Sequence, residues 1–217
     1  MNRLYTLSTI CGLLLLINIS CGPTATFENP QPEDVEAETT INKKLFGSYQ
    51  SKDSSYTMVI NTNMITIQRD SYTDIPLTAL ASSFSLIGDT LINNTDNTKK
   101  IVQRTDIAVI QHEVLTDTIF KFSEGYVLKK YLGHYFINTL DEETKKWDVS
   151  KLSLEKDQLT LSSIFGKVDI HLLNEITDTP EDTSQSTINY DISRKQFKKF
   201  LKSDGFRHID TFIRVKN

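Results

Sequence analysis

A surplus of basic charge, a glycine-rich phosphate loop and a nucleophile elbow are all missing from this sequence. The 217 residues carry a formal net charge of −4, which speaks against broad nucleic-acid binding, because that needs a basic stripe. Without Gly-x-x-x-x-Gly-Lys or Gly-x-Ser-x-Gly there is no motif basis for nucleotide hydrolysis or serine-hydrolase chemistry. Cysteine is nearly absent, at two residues, Cys11 and Cys21. Long apolar runs are scarce too. The uncharged stretch from Leu4 to Ile19 is interrupted by Tyr5, Thr6, Ser8, Thr9 and Asn18 and falls short of the roughly 20 apolar residues of a spanning helix.

What that stretch does have is the form of a secretion signal: Arg3 at its start, an apolar middle and a small residue at its end. Residues 1–20 are read as that signal. Ile19-Ser20-Cys21-Gly22 closes it and resembles the lipobox of bacterial lipoproteins, with Asn18 standing where that family usually has an aliphatic residue. The resemblance implies that Cys21 is acylated on sulfur and becomes the mature amino terminus. Cys11 then leaves with the signal, and no disulfide forms within one chain. Two or three acyl chains hold a protein on a bilayer almost permanently, at about 0.8 kcal/mol per buried methylene.

Residues 21–42 contain Pro23, Pro30 and Pro32 and five acids with no base. Composition predicts a disordered acidic tether after the lipidated Cys21, spanning about 25 Å as a coil and about 70 Å when extended. In the body, residues 43–217, acids and bases balance. Surface-exported lipoproteins of the Bacteroidetes type carry acids directly after the Cys. Here Gly22 to Thr26 intervene, which favours the periplasmic leaflet of the outer membrane.

The body predicts an all-β domain, mainly an antiparallel meander as a barrel or a two-sheet sandwich, with one C-terminal amphipathic helix. Hairpins are expected about Asn61-Thr62-Asn63, Gly88-Asp89, Thr116-Asp117 and Lys156-Asp157. Leu152, Leu154, Leu159 and Leu161 alternate with polar residues, so one face of the last hairpin is dry. Ser193 and Gln196 form a capping box, Phe197, Phe200 and Leu201 follow at helical spacing, and Gly205 is expected to stop that helix. A helical turn is expected near Leu77, and "HIDTFIRV" reads as a final strand. An echo between "LFGSYQSK" and "YLGHYFIN" pairs Gly47 with Gly133 and Tyr49 with Tyr135. It raises an internal repeat with halves of about 43–125 and 126–217. Gly-x-Tyr at a strand start resembles the opening strand of lipocalin-like barrels, where the glycine permits a close crossing and the ring plugs the barrel. "VLKKYLGHYFIN", Trp147 and "SRKQFKKFL" also resemble uncharacterised lipoproteins of Bacteroidetes, a likeness that implies location and β character only.

Catalytic signals are weak. His112, His134, His171 and His208 are widely spaced, and "HEVLT" lacks the second histidine of a zinc-protease helix, having Thr116 there. No cofactor, metal site or catalytic residue is predicted. Tyr126, Tyr131, Gly133, Tyr135 and Trp147 lie close in sequence and form the expected binding patch, since Tyr and Trp offer broad contact area with a polar tip. The first expectation is therefore a lipid-anchored, non-enzymatic envelope protein that binds a partner protein or envelope component. The alternative is a lipocalin-like carrier of an apolar small molecule, and an enzyme of unrecognised type comes third.

Overall fold

The computed structural model describes residues 23–80, 83–180 and 186–216; the signal segment and Cys21 lie outside the described residues. Its strands are β1 (Thr24–Phe27), β2 (Gly47–Ser51), β3 (Thr57–Ile60), β4 (Met64–Pro76), β5 (Phe84–Ile87), β6 (Thr90–Asn93), β7 (Lys99–Ile101) and β8 (Gln103–Arg104). They continue with β9 (Ala108–Lys121), β10 (Tyr126–Tyr131), β11 (His134–Leu140), β12 (Trp147–Glu155) and β13 (Gln158–Ser163). Helix α1 (Lys167–Thr177), β14 (Thr187–Tyr190), α2 (Arg194–Lys202) and β15 (His208–Arg214) complete the chain. The protein is mainly β with a C-terminal helix, as the alternating pattern predicts.

The main sheet runs β10-β11-β12-β13-β15-β2-β3-β4-β9-β8, and β5-β6-β7 form a separate small sheet. Because β15 pairs antiparallel with β2, the last strand of the meander returns to the first. The sheet curls like a barrel but is not closed: no ladder joins β9 to β10 among the described residues. At that seam Phe120 and Tyr126 meet edge to face with centroids 6.1 Å apart.

Two cores lie on opposite faces of this sheet. The inner one is filled by Tyr49, Met58, Ile65, Phe120, Leu152, Leu159 and Phe212. The outer one packs Phe136 and Val149 of the sheet against Ile170 and Leu173 of α1 and Phe197 and Phe200 of α2. Strand β11 serves both, so Tyr135, Phe136, Ile137 and Asn138 are all buried. Each such apolar side chain contributes about 1.5–3 kcal/mol on leaving water. The leucine alternation is borne out, with Leu152 and Leu159 fully dry and facing inward.

The expected tether is corrected most. From Thr24 onward the segment is folded: β1 pairs in parallel with β14 in the register Thr24↔Thr187 to Phe27↔Tyr190. Ala25 and Phe27, isolated in the sequence, join the outer core. Beyond them, Asn138 Nδ2 donates to the Gln31 carbonyl at 2.9 Å and its Oδ1 accepts from Gln31 N at 2.6 Å. Lys129 Nζ donates to the carbonyls of Pro30 and Pro32, both at 2.8 Å. Ile41 and Leu45 then enter the inner core. Composition undervalued the segment because its partners lie far away in the sequence.

Other expectations divide. Hairpins form at Asn61–Asn63, at Gly88-Asp89 and at Lys156-Asp157, and a 3-10 turn forms at Leu77–Ala79. No turn forms at Thr116-Asp117: β9 runs straight through, paired with β4 from Pro76↔Ala108 to Met64↔Lys121. The ladder's one register shift falls later, between Ile65 and Thr66, where Ile119 is the extra residue of β9. The capping box of α2 is present, Ser193 Oγ accepting from Gln196 N and Gln196 Oε1 accepting from Ser193 N. Gly205 takes part in the stop of α2, its N–H donating to the Phe200 carbonyl at 3.1 Å, but by close packing and not by a left-handed φ of its own. The left-handed residue after α2 is Asp204, at φ 58°, whereas a Cβ on Gly205 would lie 2.4 Å from the Phe200 ring. Helix α1 was not anticipated; Ile170, Leu173 and Ile176 show the spacing, but Gly166 gives no side-chain cap. Strands from both halves of the expected repeat join one continuous sheet.

Candidate functional site

The expected aromatic patch is split between the cores. Tyr126 and Tyr135 face the inner core, while Tyr131 and Trp147 pack on the outer one. Gly133, at φ 86°, and Leu132, at φ 49°, form the two-residue turn between β10 and β11. These residues are separated by the sheet that carries them, because neighbours along a strand point to opposite faces. They make no common surface.

Gly47 and Tyr49 open β2, which pairs with β15. Tyr49 is fully buried, and its hydroxyl donates to the Leu45 carbonyl at 2.8 Å. Arg214 lies over the ring, 4.6 Å from the centroid, and donates through Nη2 to the Lys44 carbonyl at 2.8 Å and through Nη1 to Phe46. A Cβ at Gly47 would stand 2.9 Å from Arg214 Nη1, so the glycine makes room for the guanidinium. This cluster ties β2 to β15 and is structural. Gly133 has open space around it, so its likeness to Gly47 is one of letters.

The exposed chemistry lies elsewhere. Past Arg69 and Leu115, strands β4 and β9 run on as a long ribbon that carries the small sheet β5-β6-β7. We call this region the arm. One ribbon face is covered: Val109, Leu91 and Val102 form a small core with Ile75, Leu77, Leu80 and Leu86. The other face holds Asp70, Tyr72, Asp74, Ile110, His112 and Val114, as their pairing shows. There the Tyr72 ring stacks on His112 at 4.7 Å and 17°, and His112 Nε2 lies 2.5 Å from Asp70 Oδ1. Tyr72 is 67% exposed and Val114 54%. A shallow groove of about 580 Å³ runs from Tyr72, Ile110 and His112 to Ile101 and Arg104. The sequence signal for this site was the long alternating run around His112, obscured by the turn expected at Thr116.

A second depression, about 750 Å³, opens where the arm leaves the rest of the main sheet. Ile67, Ile119 and Phe212 line it together with Arg69, Asp117 and Asp210. Its wall mixes apolar and charged groups.

No arrangement of acids and histidines suited to a metal ion occurs among the described residues. His134 is held by Ser153, Nδ1 to Oγ at 2.7 Å, and burial lowers its pKa. His171 faces water beside Glu175, at 3.4 Å. The Asp70–His112 pair stands on an open ribbon, where water competes for every hydrogen bond, so it suits surface recognition better than proton transfer to a desolvated substrate. Buried titratable groups serve the fold. Tyr190, pushed up to about 12 by burial, donates to Asn174 Oδ1 at 2.7 Å. Comparison with family models, curated proteins and solved structures finds no match to this chain.

Proposed function

We propose that this protein is a lipid-anchored, non-enzymatic component of the outer membrane's periplasmic leaflet that holds a partner protein on the open face of its arm. The observation that carries the reading is the exposure of Tyr72 and Val114 together on a ribbon face. Isolated exposed apolar residues are ordinary, but a contiguous set marks an interaction surface. Ile101, 77% exposed, extends the set across the groove, and the Asp70–His112 pair lies between Tyr72 and Val114 as a polar centre. Lipid anchorage rests on the Ile19-Ser20-Cys21 pattern.

The test is photo-crosslinking in living cells of a bacterium with lipoprotein machinery. A photoreactive amino acid at Tyr72 or Val114 is expected to give one discrete adduct, and the same probe at Glu175 none. Adducts of equal yield at all three positions would refute the arm as the binding face.

The carrier reading keeps one supporting observation, the cleft above Phe212. The barrel interior below it is filled with side chains, so a ligand there would be held at the mouth. Saturable uptake of a fluorescent lipid, lost in Ile119→Asp, would favour that reading over the first.

A further inference from the structure

We infer that the folded body rests directly on the bilayer, with Phe165 and Val168 entering the headgroup region beside the anchor. The inference depends on the acylation of Cys21 proposed above. It starts from covalent reach. Only Gly22 and Pro23 stand between Cys21 and Thr24, and the three Cα-to-Cα steps span at most about 11 Å. Thr24 is already fixed in the fold. Its N donates to the Ser186 carbonyl at 2.9 Å, and it forms an antiparallel bridge with Phe165. The Pro23 carbonyl accepts from Gly166 N at 2.8 Å. A body anchored this closely has no slack to stand away from the membrane, and the surface around Pro23 must face it.

That surface suits a lipid interface. Phe165 is 39% exposed and Val168 60%, one on each side of Gly166 and Lys167. Lys167, Val168 and His208 are all exposed, and the Phe165 ring lies 5.6 Å from the His208 ring. The Arg207 side chain is half exposed. The acid between these bases, Asp169, is fully buried and accepts from the backbone N–H of Arg207 at 3.0 Å. Glu28, at the far end of β1, is tied to Lys146 and Asn189. Apolar side chains flanked by bases are what an anionic interface takes up, to a depth of about 5–10 Å. The bilayer is the occupant chosen here because the anchor places it within reach.

The test uses the full chain, acylated in cells and reconstituted in vesicles of phosphatidylethanolamine and phosphatidylglycerol. Since Cys21 carries the lipid as a thioether and Cys11 departs with the signal, Val168→Cys offers a single free thiol for an environment-sensitive dye. Ile107→Cys, at a 79% exposed position on the arm, is the reference. Nitroxide-bearing lipids are expected to quench about half or more of the dye at 168, given a depth of ~5–10 Å, and little at 107. Equal, weak quenching at both positions in vesicle-bound, lipid-modified protein would overturn the seating while leaving the anchor intact. Protein that lacks the lipid mass and stays off the vesicles would overturn the anchor and the seating together. A dye at 168 that is shielded in whole envelopes but unquenched in pure vesicles would assign this face to a protein and overturn the inference.

Discussion

Strand β11 and the arm are built from the same antiparallel pairing, yet one is dry on both faces and the other is open to water on one. In β11, Tyr135 to Asn138 are buried on both faces, between the inner core and the layer of α1 and α2. In the arm, β4 and β9 exchange backbone hydrogen bonds along their whole length, but only one face finds a cover, and that cover is three short strands. Backbone pairing defines a strand in both places. Burial decides whether it contributes to global stability, because the net value of a hydrogen bond is small beside that of a dry aromatic. The arm thus keeps one face open to solvent, while β11 holds the main sheet to its outer layer.

Phe136→Ala should break this contrast most sharply. Phe136 is fully buried and meets Phe197 at 5.1 Å and Phe206 at 6.0 Å. Its truncation is expected to cost about 3–5 kcal/mol and to lower the urea midpoint of the whole body. Val109→Ala, in the arm's core, should instead raise amide exchange in 70–117 and leave the main transition in place.

Asn138→Ala comes next. It leaves Gln31 N without an acceptor and costs about 1–3 kcal/mol. The expected signature is selective protease cleavage within residues 28–42 while the rest stays intact. Cleavage spread evenly over the chain would deny Asn138 its role as a latch.

A smaller effect concerns pH. Burial raises the pKa of Asp169 above its ordinary value, against the pull of the Arg207 and Phe165 N–H groups and of the Arg207 charge. A raised folded pKa means that the native state binds the proton more tightly than the unfolded chain. The stability so gained is full below about pH 3.9 and is lost as pH rises through the folded value. Asp169→Asn should remove that component, so the variant gains on wild type as pH increases across this window. Chemical denaturation at several pH values reads the difference, and parallel curves would exclude it.

Smallest of all in stability is Tyr72→Ser. An exposed ribbon position should shift stability by within about 0.5 kcal/mol, yet abolish the crosslinked adduct expected at Val114. If both stability and crosslinking stay unchanged, the open face of the arm has no role in binding.

Much of the body was legible from local chemistry. Asn61 to Asn63, Gly88-Asp89 and Lys156-Asp157 mark turns because these residues accept turn geometry cheaply. The capping box at Ser193 marks a helix start because it satisfies free N–H groups with its own side chains. The candidate site was much less legible. Tyr126, Tyr131, Tyr135 and Trp147 are close in sequence, but alternation along strands sends them to opposite cores. Tyr72 and His112, which stack, are forty residues apart and meet only through the register of β4 and β9.

By itself, the sequence determined the strand-rich class, most of the hairpins, the capped C-terminal helix and the inward set of leucines, since each follows from a periodicity or a turn preference within about ten residues. Only the tertiary structure decided that residues 24–45 belong to the body. Phe27 gains a dry site from Tyr190 and Trp147, and the carbonyls of Pro30 and Pro32 gain a donor from Lys129, all more than ninety residues away. Composition counts what a segment can bury in itself. It does not count the surface that a distant part of the chain holds ready for it, and here that surface turned an acidic, proline-bearing stretch from a spacer into part of the fold.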